Sequence, residues 1–191
     1  MNTYKLNNIG EIAPIYTDIL NSVNLSLMWS KDDDLDLMVF YKTKDGITGS
    51  VYSENIPGGF YGDLDKFPFI SCGESGLDDS SDDIISYEKI SISDFSQLGK
   101  LFFVVTNYAE IVLKKNIKFS DYQAVLKISP SYSSDKKNVY LIKANSEEKG
   151  DFLVVCEIEV SESTLMLKNT NQVMTFEELV KTIPGTNKLK I

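Results

Sequence analysis

The sequence predicts an all-β fold, a two-sheet β-sandwich with one or two short helices, and three observations carry that prediction. Short runs rich in Val, Ile, Leu, Phe and Tyr recur between clusters of Asp, Asn, Gly, Ser and Pro, which is the punctuation of strands and turns. Some runs alternate strictly, so that Leu25, Leu27 and Trp29 share one face and Val125 sits opposite Leu126 and Ile128. Others, Leu101 to Thr106 and Phe152 to Cys156, are apolar on both faces, as central strands of packed sheets are.

Taken in order, the first apolar positions, Ile12, Ile15, Ile19, Leu20 and Val23, fit a helix, but Pro14 and Asn21 interrupt it and an edge strand fits equally well. A strand over 24–29 ends at Trp29. After an acidic turn a second covers 35–41, and Lys44-Asp45-Gly46 turns the chain into a third over 47–52. Gly58 to Gly62 has no helix after it and is expected as a hairpin loop rather than a phosphate cradle. A strand over 67–72 leads into a Gly-containing acidic stretch, Cys72 to Asp83, expected as a loop. Strands over 89–92, 100–108, 122–128, 138–143, 152–160 and 164–168 complete a set of ten. Thr175 with Glu178 three residues on forms a capping box that opens a short helix, closed by Pro184 and Gly185. With 191 residues and no long linker, a single domain over 1–191 is expected.

Composition excludes several chemistries. The chain holds no His and its nineteen basic residues are all Lys. Without His there is no Ser-His or Cys-His pair, no imidazole base and no Cys/His zinc site. Without Arg there is no bidentate fork for phosphate or guanine, and a net charge of −9 further opposes nucleic-acid binding. Cys72 and Cys156 are expected as buried, reduced thiols, and Cys72 as nucleophile lacks a base partner. Lys114, Lys115 and Lys118 form a small basic spot expected as a solubilising edge. No apolar run approaches membrane-span length and residues 1–16 lack a secretory pattern, so a cytoplasmic location is expected.

The acidity is concentrated. Between Asp32 and Asp94 there are fifteen Asp and Glu against four Lys, a net of −11 that leaves +2 for the rest of the chain. Within this segment, strand alternation places Asp34 and Asp36 on one side with Leu35 and Leu37 toward the core. Carboxylates this close repel unless a cation neutralises them, and calcium accepts six to eight oxygen ligands in flexible geometry. The second acidic stretch offers Glu74, Asp78 and Asp79, with Asp82 and Asp83 further along. An EF-hand is excluded, because Leu37 and Thr43 stand where its glycine and glutamate belong. The plain alternative for both clusters is a solvated acidic surface.

Several motifs in order carry a family resemblance: Leu27-Met28-Trp29, Asp34-Leu35-Asp36-Leu37, Lys44-Asp45-Gly46, Phe60 to Asp65 leading to Phe67-Pro68-Phe69-Ile70, Tyr87 to Ile92, Phe119-Ser120-Asp121, Asp151-Phe152 and Thr175 to Leu179. Over residues 20–181 the chain resembles the tellurite-resistance TerD family, its TerA-like branch more than TerD itself. The resemblance implies a calcium-binding β-sandwich without catalytic activity, acting in resistance to tellurite, related stresses or phage. Carried over by position, Asp34 and Asp36 match the family's acidic pair. The second stretch departs, with Glu74, Ser75, Asp78 and Asp79 and an insertion through Asp83 replacing the family's Asp and Gly run.

The expected function is therefore a calcium-dependent stress-response module that works through another stress-response protein, with metal ligands drawn from Asp34, Asp36, Glu74, Asp78, Asp79, Asp82 and Asp83 and no catalytic residues. A calcium-dependent membrane-surface module, using Phe60, Tyr61 and Phe67, is the runner-up, and a metal-dependent hydrolase the third reading.

Overall fold

The structure of the protein, a computed structural model, describes residues 2–30, 34–78, 85–115, 117–133 and 138–191, with the backbone alone for 74–78. Two large sheets face one another. The first has seven strands in the spatial order β1 (Asn2–Lys5), β12 (Asn138–Ala144), β11 (Ala124–Tyr132), β3 (Leu20–Trp29), β8 (Ile85–Ile92), β7 (Ile70–Asp78) and β6 (Gly62–Asp63). The second has six: β2 (Ile12–Tyr16), β15 (Thr164–Met174), β14 (Phe152–Val160), β9 (Leu98–Thr106), β4 (Asp36–Thr43) and β5 (Thr48–Val51). A two-stranded ribbon pairs β10 (Ile117–Lys118) with β13 (Lys149–Gly150). Every pairing is antiparallel except that of β1 with β12.

Alternation decides what fills the space between the sheets. In β3, Val23, Leu25, Leu27 and Trp29 are buried while the residues between them are half-exposed. Their partners across β11 and β8, Leu126, Ile128, Ile90 and Ile92, are buried too. In the second sheet, β14 and β9 are buried on both faces. The outer face is covered by α2 (Phe176–Thr182) and the residues after it, with Leu179, Ile183 and Leu189 buried and the Phe176 ring 6.4 Å from that of Phe152. The buried side chains form one continuous core.

All ten expected strands have counterparts, and α2 opens with the expected capping box, Thr175 and Glu178 each satisfying the other's backbone N–H. The segment around Pro14 is an edge strand, β2, where a residue without an N–H is tolerated. Cys72 and Cys156 are buried free thiols. The basic spot is partly neutralised, Lys115 pairing with Glu110 at 2.7 Å and Lys118 with Glu147 at 2.6 Å.

Two expectations are corrected. The stretch from Cys72 is not a loop as far as Asp78, because β7 continues in register with β8 up to Asp78. Gly73, at φ 150°, takes up the extra residue of a bulge between Cys72 and Glu74 and lets the ladder resume. A short helix, α1 (Tyr108–Val112), follows β9 directly, capped by the Asn107 side chain, which accepts from the Glu110 N–H at 3.0 Å. The strand expected over 100–108 ends at Thr106, and Tyr108 opens the helix instead. Among the described residues no helix is long and apolar enough to cross a membrane.

Candidate functional site

The unusual side chain at one end of the sandwich is Glu88. In β8 it shares a face with Ile90 and Ile92, both fully buried, and across the ladder it stands beside Leu27 as Ile90 stands beside Leu25. A carboxylate thus continues the buried row of Ile90 and Ile92 toward the end of the sheet. Its Oε2 accepts the backbone N–H of Leu37 at 2.5 Å, so a side chain of the first sheet fastens the entry of β4 in the second. Asp36, the first residue of β4, is fastened in turn: its Oδ2 accepts the Tyr108 N–H at the start of α1, at 3.0 Å.

Burial dominates the electrostatics of both groups. It raises Glu88 from 4.5 to about 8 against the lowering effect of the Leu37 N–H, and the charges of Asp36 and Asp34 push in the same direction as burial. Burial likewise raises Asp36 to about 6, opposed by the Tyr108 N–H and assisted by Asp34. The charge of Asp36 thus reaches Glu88 across the sheet interface. Asp34 is exposed at the mouth. Together they line a cleft of about 610 Å³, with Cys72, Tyr61 and Leu64 among its other walls. Burial, then the charge of Glu88, pushes the Cys72 thiol up to about 12, which keeps it protonated at neutral pH.

The structure brings Asp34 and Asp36 to this cleft, as their spacing implies, with Leu35 and Leu37 buried in the core. Glu74 and Asp78 lie on β7. Register sets Ser75 opposite Glu88, Glu74 opposite Lys89 and Asp78 opposite Ile85, so Asp78 lies three residues, about 10 Å, further along the hairpin than Glu88's partner. Asp79, Asp82 and Asp83 lie outside the described residues. Glu88 was not singled out by the acidic clusters, because it sits in no run of acids. The available signal was an acidic residue at an inward position of the Glu88, Ile90, Ile92 alternation, concealed by starting that strand at Lys89.

The donor set is chemically suited to a hard cation: all oxygen, negatively charged and partly desolvated. Glu88 and Asp36 each keep a second oxygen that has no protein hydrogen-bond donor among the described residues. Among those residues no three Cys, Asp or Glu side chains already surround one point, so water or further carboxylates would complete a coordination shell. Compared with known proteins, the chain matches no family model, no curated protein and no solved structure.

Proposed function

We propose that the chain is a non-catalytic calcium-binding module of the stress-response type, acting through a partner protein. One observation carries the reading: two carboxylates from facing sheets, Asp36 and Glu88, are fastened by backbone N–H groups beside one cleft and pushed toward their protonated forms by burial first and neighbouring carboxylate charge second. A divalent cation relieves both penalties at once, offsetting the carboxylate charge and displacing the proton that burial favours. Asp34, at the mouth, would have to move inward to join them, since no three described carboxylates surround one point, and water would supply further ligands together with any of Glu74, Asp79, Asp82 and Asp83 that the ion draws in. The role in tellurite, stress or phage resistance rests on the motif order from Trp29 to Leu179.

In this reading Glu88 and Asp36 act as a clasp. An ion between them ties the entry of β4 and the start of α1 to β8, ordering that end of the sandwich for a protein ligand. The test is a melting curve of chelator-treated protein with calcium and with magnesium. At a calcium concentration about a hundred times Kd, binding adds about 2.7 kcal/mol, which for a chain of this size raises Tm by about 5–10 °C. Magnesium, which demands stricter geometry, gives a smaller rise. An unchanged Tm with calcium, together with no heat of binding, overturns the proposal.

A further inference from the structure

The loop from Phe60 to Phe67 borders the carboxylate cleft and is fastened along its length. Tyr52 and Phe60 exchange backbone hydrogen bonds of 3.1 and 3.0 Å, the Cys72 N–H donates to the Tyr61 carbonyl at 2.8 Å, and the Ser93 hydroxyl donates to the Leu64 carbonyl at 2.6 Å. Glycine is required for this close fit: a Cβ at Gly59 would lie 2.0 Å from the Ser53 carbonyl oxygen, and one at Gly62 2.0 Å from that of Ile70. Despite this anchoring, the large apolar side chains of the loop face outward, with Phe60, Tyr61, Leu64 and Phe67 exposed by 47%, 38%, 39% and 38%. Tyr61 and Leu64 line the cleft itself. Phe67 is held edge-on against Tyr41 and Phe69, with ring centroids 5.9 and 6.5 Å away.

Apolar side chains on a fixed backbone lose little entropy on docking, which is the character of interface anchors. The charge around them has one dominant sign. Glu54, Asp63 and Asp65 flank the loop in sequence and Asp34, Asp36 and Glu88 line the cleft, against two cations, Lys66 with its ammonium 3.9 Å from Asp63 and Lys89 in the cleft lining.

We infer that this ledge is the docking surface for a basic amphipathic segment of a partner protein. Its apolar side chains pack on Phe60, Tyr61, Leu64 and Phe67, and its Lys or Arg side chains meet Glu54, Asp63 and Asp65, leaving the cleft carboxylates to the ion. The inference deepens the proposed function by naming the chemistry of the partner. It depends on the binding-module reading, not on metal occupancy.

The test is fluorescence anisotropy with a labelled synthetic amphipathic helix of Leu and Lys, beside a Leu and Glu counterpart, in calcium and in chelator. The wild-type chain binds the basic helix and not the acidic one. The double variant Phe60→Ser/Leu64→Ser binds it at least about tenfold more weakly, Glu54→Gln/Asp65→Asn shows a shallower salt dependence, and Ile9→Ser, an exposed change on the opposite edge of the sandwich, binds as wild type. Circular dichroism confirms that each variant is folded. Equal binding of both helices, undiminished binding by the folded Phe60→Ser/Leu64→Ser variant, or association only with phosphatidylserine vesicles overturns the inference. A calcium-dependent Tm rise without peptide binding defeats the docking surface alone. Peptide binding without a calcium response defeats the metal reading alone.

Discussion

Replacing Glu88 by Gln separates the buried charge from the hydrogen bond it makes. The amide oxygen still accepts the Leu37 N–H, but the group no longer ionises and Asp36 loses its like-charged neighbour. In metal-free protein the sign follows from linkage. Glu88 titrates near 4.5 when unfolded and near 8 when folded, so across this window the folded state retains a proton that the unfolded state has released. Stability is therefore full below about pH 4.5 and falls as pH rises toward 8. At about 1.4 kcal/mol per pH unit, the cost at pH 7 is about 3 kcal/mol. The Gln variant escapes this cost. In chelator its advantage over wild type should grow from near zero at pH 4.5 to about 3 kcal/mol at pH 7, a Tm difference of about 6–12 °C for a chain of this size. Urea titrations at a series of pH values measure the difference, since the charge effects common to both proteins cancel. The same substitution should abolish most of the calcium-induced rise in Tm. A variant that is less stable than wild type at pH 7, or whose advantage is the same at pH 5 and pH 8, refutes the account of Glu88 as a strained, ionisable clasp.

Calcium binding should release a proton at pH 7, because Glu88 holds one when metal-free, so calorimetric heats at pH 7 should vary with the ionisation enthalpy of the buffer and affinity should rise from pH 5 to pH 8 as both Asp36 and Glu88 lose theirs; buffer-independent heats count against it. Leu27→Ala, at a fully buried position in β3, should lower stability by about 3–4 kcal/mol, read by denaturant midpoint. Thr175→Ala should cost about 1 kcal/mol by the same assay through loss of the capping box at α2. Cys72 and Cys156 should resist alkylation by iodoacetamide at pH 8 in folded protein and react fully in denaturant, since burial raises both thiols.

Much of the fold was legible because its signals are local. Strand positions came from alternation in β3 and two-sided apolar runs in β9 and β14, and α2 from a capping box that uses only neighbouring residues. The short elements were not legible. β1, with the sequence NTYK, has no buried residue and exists because β12 offers it a backbone ladder. The continuation of β7 through an acidic, glycine-containing stretch likewise depends on β8 as template, a tertiary effect that outweighs the poor strand propensity of Gly and Asp. The candidate site was half legible. Asp34 and Asp36 announce themselves by spacing, whereas Glu88 joins them only once the two sheets are packed, through a bond between residues 51 apart in sequence.

Residues 2–16 contribute one strand to each sheet, β1 beside β12 and β2 beside β15, so each lies on an outer margin of the sandwich and each is matched to a strand more than a hundred residues later. Loop-closure entropy makes such distant pairings late events in folding. A ribosome delivers β1 and β2 well before β12 and β15, and during that interval the early strands have no ladder to join. β1 can pair once β12 has emerged, whereas β2 waits for β15, so a nascent chain stalled before residue 164 would present an open flank beside β14 for association with other chains.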